Sequence, residues 1–273
     1  MIEVKLIVEL LLIIYGLSLV GYFIDFIQHN QKVNKIAFWL LSMVWAIQTF
    51  FLLYQVLIEK NFPIITLNDS LFLYAWVLVT ISLIINKLLP INFIVFFMNL
   101  FGFFIHLLYV STTAQQNIHK GGGQLVNEIL ATHITLAIVS YGFFTVSFLF
   151  SLMHIMQHHF LKEKKSFKWI WRFGDLKVLD TYSFRAITIG VPLLLIGIIF
   201  GVVWAHVSNS EFYWFDIKTV GSILVLVVYI VYLILRLVSG YQGKALSIYN
   251  TAAFLVLLIN FFLFSLLSNF HFN

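Results

Sequence analysis

Apolar runs of roughly twenty residues recur from one end of the chain to the other, separated by short polar stretches. Eight can be marked off, at 6–24, 36–58, 71–85, 91–111, 129–155, 187–205, 219–235 and 247–269. A bilayer core of about 30 Å needs about 20 helical residues to cross it, and most of these runs supply them. The strict alternation of a barrel strand is missing. In hydrocarbon a single segment satisfies its own backbone only as a helix. The pattern therefore predicts an all-α polytopic membrane bundle of eight transmembrane helices, with residues 1–273 forming a single transmembrane domain. Glu3 and Glu9 stand where a secretory leader would be basic, so the first run reads as a span rather than a signal peptide.

Composition supports that class: 62% of residues are hydrophobic, 10% are charged, and the mean hydropathy is +1.00. Ordinary soluble domains carry about a quarter charged residues. The charge then orients the spans. One set of connections holds Lys32, Lys35, Lys87, Lys162, Lys164, Lys165, Lys168, Arg172, Lys177, Arg185, Arg236 and Lys244; the other holds Lys5, Lys60, Lys120 and Lys218. Basic residues favour the cytoplasmic side, so the first set is expected inside and both termini outside, in a plasma membrane. The net charge of +5 follows from this asymmetry and gives no signal for nucleic acid. Cysteines placed at Ser210 and Ser166 should label from opposite sides with an impermeant thiol reagent. Labelling from one side would discard the eight-span reading. The native chain has no cysteine, which keeps that experiment clean and also excludes disulfides, thiolate metal sites and iron–sulfur clusters.

The candidate chemistry lies on the expected outer face. Residues 204–218 read W-A-H-V-S-N-S-E-F-Y-W-F-D-I-K, an outer loop in which Trp204, Phe212, Tyr213, Trp214 and Phe215 crowd around His206, Glu211 and Asp216. Such a loop fits an interfacial aromatic belt. It also fits a stacking platform for a flat macrocycle whose iron takes an imidazole nitrogen. His133, near the outer end of the fifth span, is costly in lipid and should face protein or a cavity. His271 follows the eighth span, and His106 lies a turn or so below the outer end of the fourth. Several imidazoles and an aromatic loop thus converge on one face. His29, His154, His158 and His159 fall on or near the opposite side, and His119 sits in the outer glycine-rich loop. Gly121, Gly122 and Gly123 form a hinge without the Lys-Ser/Thr ending of a phosphate loop, and no nucleophile elbow, zinc-protease helix or dinucleotide fingerprint occurs. Asn68–Ser70 offers a cap for the third span. The largest inward loop, 157–185, mixes lysines with Trp169, Trp171 and Phe173, and part of it is expected to lie on the membrane surface.

Several stretches together resemble one family. L-K-V-L-D-T-Y-S-F-R-A-I-T-I-G-V-P-L-L-L-I-G-I-I-F-G-V-V-W-A (176–205) is similar to the approach to the tryptophan-rich motif of haem-handling proteins in cytochrome c assembly. E-F-Y-W-F-D-I-K (211–218) resembles that motif in eroded form, R-L-V-S-G-Y-Q-G-K (236–244) the basic turn after it, and N-F-H-F (269–272) the closing histidine. Residues 61–76 and 133–141 match as well, and the size and layout resemble the HemX branch. The resemblance implies a non-enzymatic membrane protein that binds non-covalent b-type haem. It implies His133 and His271 as axial iron ligands, with His206 in reserve. Trp204, Tyr213, Trp214, Phe215 and Asp216 would form the platform. It further implies control of the level of glutamyl-tRNA reductase, with that enzyme or its proteolysis machinery meeting the cytoplasmic loop 157–185. A haem chaperone for cytochrome c assembly is the alternative. Departures are Tyr213 and Phe215 at tryptophan positions, Ile217 for proline, Thr219 for glutamate, and Ile234 where assembly proteins place an intramembrane histidine.

Overall fold

The computed structural model describes residues 2–28, 30–57, 67–88, 92–113, 124–162, 175–207 and 217–264. Among them are eight α-helices and no strand: α1 Ile2–Gln28, α2 Gln31–Leu57, α3 Leu67–Leu88, α4 Asn92–Thr113, α5 Gln124–Lys162, α6 Leu176–Val207, α7 Ile217–Leu237 and α8 Lys244–Ile259. A π-helical turn, Asn260–Phe264, continues α8. Seven of the eight are long and apolar enough to cross a membrane, and α4 contributes a shorter apolar stretch, Ile94–Val110. The protein is a multi-pass helical membrane protein, as the hydropathy pattern predicts.

The helices outrun the apolar runs. The expected 157–185 loop is helical at both ends, because α5 continues to Lys162 and α6 begins at Leu176. Hydropathy falls at Gln157, His158 and His159, yet the backbone ladder of α5 continues through them to Lys162. The interfacial segment expected around Trp169 and Trp171 lies outside the described residues. Leu67 already belongs to α3, so Asn68–Ser70 form its first turn rather than its cap, and Asp69 there suits the positive end of the helix dipole.

The contacts divide the chain into two compact units, 1–121 and 122–273. In the first, α1 packs on α2 and α4, and α3 packs on the same two, closing a four-helix ring. On α1, Leu10, Ile13, Leu17, Val20, Phe23 and Ile27 form an exposed apolar stripe at three- and four-residue spacing. The opposite stripe, Leu11, Tyr15, Ser18, Tyr22 and Asp25, is buried. That inversion of soluble amphipathy is what lipid demands. The interior polar groups then bond between helices. The Asn99 amide donates to Ser82 Oγ at 2.7 Å, the Asn86 amide to the Tyr22 hydroxyl at 2.8 Å, and the Trp45 indole to Thr80 at 2.9 Å.

The second unit is again a ring: α5 packs on α6 and α8, and α7 packs on the same two. Small residues let α5 and α6 approach closely. Ser183, Ala186, Gly190, Gly197, Gly201 and Ala205 form one buried stripe of α6. A Cβ at Gly190 would stand 2.7 Å from Phe144, whose ring stacks on Tyr229 with centroids 3.8 Å apart. A polar layer crosses the same core. The Asn250 amide donates to Ser147 and Ser151, both at 2.8 Å, and the Ser147 hydroxyl donates to the Ser183 carbonyl at 2.9 Å. Arg236, at the end of α7, pairs with Asp180 of α6 at 2.6 Å. The other Asp180 oxygen accepts the Gly243 N–H at 3.1 Å, which ties the start of α8 to the same carboxylate.

Candidate functional site

His133 is on the inner face of α5, about two and a half turns from its start. Its Nδ1 lies 2.6 Å from the Gly197 carbonyl of α6. A carbonyl only accepts, so Nδ1 carries the proton, and in the neutral ring the lone pair sits on Nε2. The imidazole is packed over the α6 backbone. A Cβ at Gly201 would come within 2.8 Å of both its Cε1 and its Nδ1. At Gly197 a Cβ would meet the α5 backbone, 3.3 Å from the Ala137 nitrogen and 3.4 Å from the His133 carbonyl. The sequence reading singled out the histidine but neither glycine. The signal was present as G-x-x-x-G at Gly197 and Gly201, a spacing that permits close helix approach.

Ligand histidines typically donate their second ring nitrogen to a carbonyl or carboxylate, and the His133 arrangement has that form. The residues present therefore fit a haem whose iron takes an imidazole Nε2. Among the described residues no three metal-ligating side chains converge on a bare ion. Iron in a macrocycle needs only one or two from the protein.

Trp204 and His206 lie in the last turn of α6 rather than in a loop, because the helix runs to Val207. Trp204 is half-buried and His206 exposed. Trp204 stands three residues beyond Gly201, on the stretch of α6 that follows the His133 ring. His271, Phe212, Tyr213, Trp214, Phe215 and Asp216 lie outside the described residues, as do Glu211 and His119. Two turns below His133 on α5, the Tyr141 hydroxyl accepts from the Asn260 amide at 3.0 Å, at the start of the π-helical turn. Turns of that kind are frequent at functional sites.

His106 belongs to the first unit. It is fully buried, and its ring centroid lies 5.6 Å from Tyr109, 5.9 Å from Phe72 and 6.4 Å from Tyr15. Among the described residues neither of its ring nitrogens has a hydrogen-bond partner. The aromatic cage encloses it, so it is an interior residue of its own four-helix ring. His154, expected near the cytoplasmic side, is buried against the Gly243 turn beside the Asp180–Arg236 pair.

An all-helical membrane protein with an imidazole held on a helix–helix seam is the class these features define. Residues 64–271 match the model of the family described as cytochrome C assembly protein, and the chain belongs to that family. It is 49% identical over 260 residues to Protein HemX of Bacillus subtilis (strain 168), covering 95% of this chain and 94% of that one. With Protein HemX of Brevibacillus brevis the identity is 40% over 271 residues, covering 99% of each chain. The cytochrome c biogenesis protein CcsA of Cyanophora paradoxa is 26% identical over 241 residues, covering 72% of this chain and 74% of that one.

Proposed function

We propose that this protein is a haem-responsive regulator of tetrapyrrole synthesis in a bacterial plasma membrane, acting on the level of glutamyl-tRNA reductase and catalysing no reaction itself. The observation that carries the reading is the near full-length likeness to two HemX proteins, at 49% and 40% identity. Non-covalent b-type haem suits a chain with no cysteine for thioether attachment. His133 and His271 would hold the iron, with His206 in reserve, and Trp204, Tyr213, Trp214, Phe215 and Asp216 would flank the macrocycle on the outer side. When bound, haem would supply a flat apolar surface and an iron that takes imidazole nitrogen. The protein's part would be to orient the His133 ring through its Nδ1 contact to Gly197.

A regulator must pass information to the cytoplasm, and the 157–185 region is the proposed contact for the reductase or its proteolysis machinery. Its lysines suit an acidic partner surface, and tryptophan is enriched in interface hot spots. The second reading, a haem chaperone for cytochrome c assembly, draws on the family itself and on the likeness to CcsA. One comparison separates the two. Replacing Lys164, Lys165, Lys168, Trp169 and Trp171 together, with membrane insertion confirmed, should change reductase abundance and leave cytochrome c maturation intact. Should deletion of the whole protein leave reductase levels untouched and abolish covalent haem attachment, the chaperone takes the regulator's place.

A further inference from the structure

We propose that Gly197 and Gly201 are positioning residues for His133: the Gly197 carbonyl fixes which ring nitrogen is offered to iron, and the bare Cα of Gly201 fixes where the ring sits. The inference deepens the haem reading above and rests on it for the iron.

A histidine on a transmembrane helix has two unconstrained variables, its tautomer and its χ2 angle. At His133 both are set by α6. Of the two neutral tautomers, the 2.6 Å contact to the Gly197 oxygen admits only the Nδ1–H one, because two acceptor lone pairs at that distance would repel. The Gly197 oxygen belongs to a helix, and its second lone pair lets it accept from the imidazole beside its own ladder bond. A hydrogen bond from Nδ1–H to a carbonyl makes the opposite nitrogen a stronger donor to a metal. Glycine at 201 is what lets the ring come close enough. Its missing Cβ would lie 2.8 Å from Cε1 and Nδ1 and 3.3 Å from Cγ, so any side chain there contests the space the imidazole fills.

The two glycines make different predictions although they share one seam. A methyl group at 197 meets backbone and the Leu136 side chain at 3.3–3.4 Å, contacts that a shift of a few tenths of an ångström relieves, and it keeps the carbonyl. A methyl group at 201 meets the ring itself. Gly201→Ala should therefore release the imidazole from Gly197, while Gly197→Ala should leave the bond in place.

The test is nitrogen-15 magnetic resonance of histidine-labelled protein in lipid, purified without added haem, with the His133 signals assigned by their loss in His133→Asn. The expected result is a ring protonated at Nδ1 and bare at Nε2 in the wild type and in Gly197→Ala, and a mixture of tautomers in Gly201→Ala. With haem supplied, Gly201→Ala should weaken haem binding about 10- to 100-fold, the range for loss of an outer-shell partner, and alter the absorption spectrum. A wild-type His133 protonated at Nε2 overturns the proposal, and that measurement needs no variant to fold. A fixed Nδ1–H tautomer combined with an unchanged haem spectrum in His133→Ala removes the iron, and the ligand-positioning role with it. A spectrum that changes in His133→Ala but not in Gly201→Ala leaves the haem reading standing and rejects this inference alone.

Discussion

Replacing His133 and His271 together by alanine is expected to strip the protein of haem and abolish the absorption bands of a bis-histidine complex. The single His133→Ala change should already cost more than the roughly 10- to 100-fold that follows loss of an outer-shell partner, because the metal bond itself goes. The reasoning starts at α5. An imidazole inside a span is expensive, so one held there is expected to face protein or a cavity. Nδ1 donates to the Gly197 carbonyl, and in that neutral tautomer the lone pair a metal would take lies on Nε2. Aromatic neighbours add about 0.5–1.5 kcal/mol for each well-placed ring, so single changes at Trp204 or Trp214 should weaken binding only modestly and leave the ligand field intact. Haem content and the spectrum of the purified double variant decide the matter. If both are unaltered, the axial assignment falls. If only one histidine matters, His206 on the last turn of α6 becomes the next to replace.

The eight helices were legible in the sequence because lipid imposes a simple rule, about twenty apolar residues per crossing. Their ends were not, since α5 and α6 persist past the apolar runs into polar residues such as His158, His159 and Lys177. His133 was legible as a costly polar group at a definite depth. Gly197 and Gly201 were not, because a glycine's meaning depends on what stands opposite, and the opposite side chain is 64 residues away for the Gly197 bond. The charge count behaved the same way. Arg236 entered the sequence reading as one cationic residue among twelve, a vote for orientation. The structure gives it a partner, Asp180, and a stacking contact with Phe184, with 5.3 Å from the guanidinium carbon to the ring centroid. The serines at 147, 151 and 183 look like ordinary small polar residues in apolar runs. Only the packing of α5, α6 and α8 reveals that they and Asn250 form one buried layer.

Arg236→Ala should be the most destabilising single substitution at the Asp180 end of the second unit, by about 3–5 kcal/mol, the range for breaking a buried ion pair on one side. The Arg236 and Asp180 side chains are only 12% and 9% exposed, so the carboxylate left behind has little water to turn to. Asp180 is also the acceptor that holds the Gly243 N–H at the start of α8, where no side chain caps the helix. The effect should therefore spread from α7 to α8. The pairing logic gives an internal control. Removing both charges together, as Asp180→Asn with Arg236→Met, deletes the desolvation penalty along with the attraction. Asparagine keeps a carbonyl for Gly243, and methionine keeps apolar contact with Phe184. The double variant should recover most of the loss, because replacing a buried pair outright is often neutral or better. Unfolding in detergent, compared across wild type, the two single variants and the double, measures the coupling directly. A loss below about 1 kcal/mol in Arg236→Ala would mean that the pair behaves like a solvated surface bridge, and the tie between α6 and α8 would have to come from the Ser183–Asn250 layer instead.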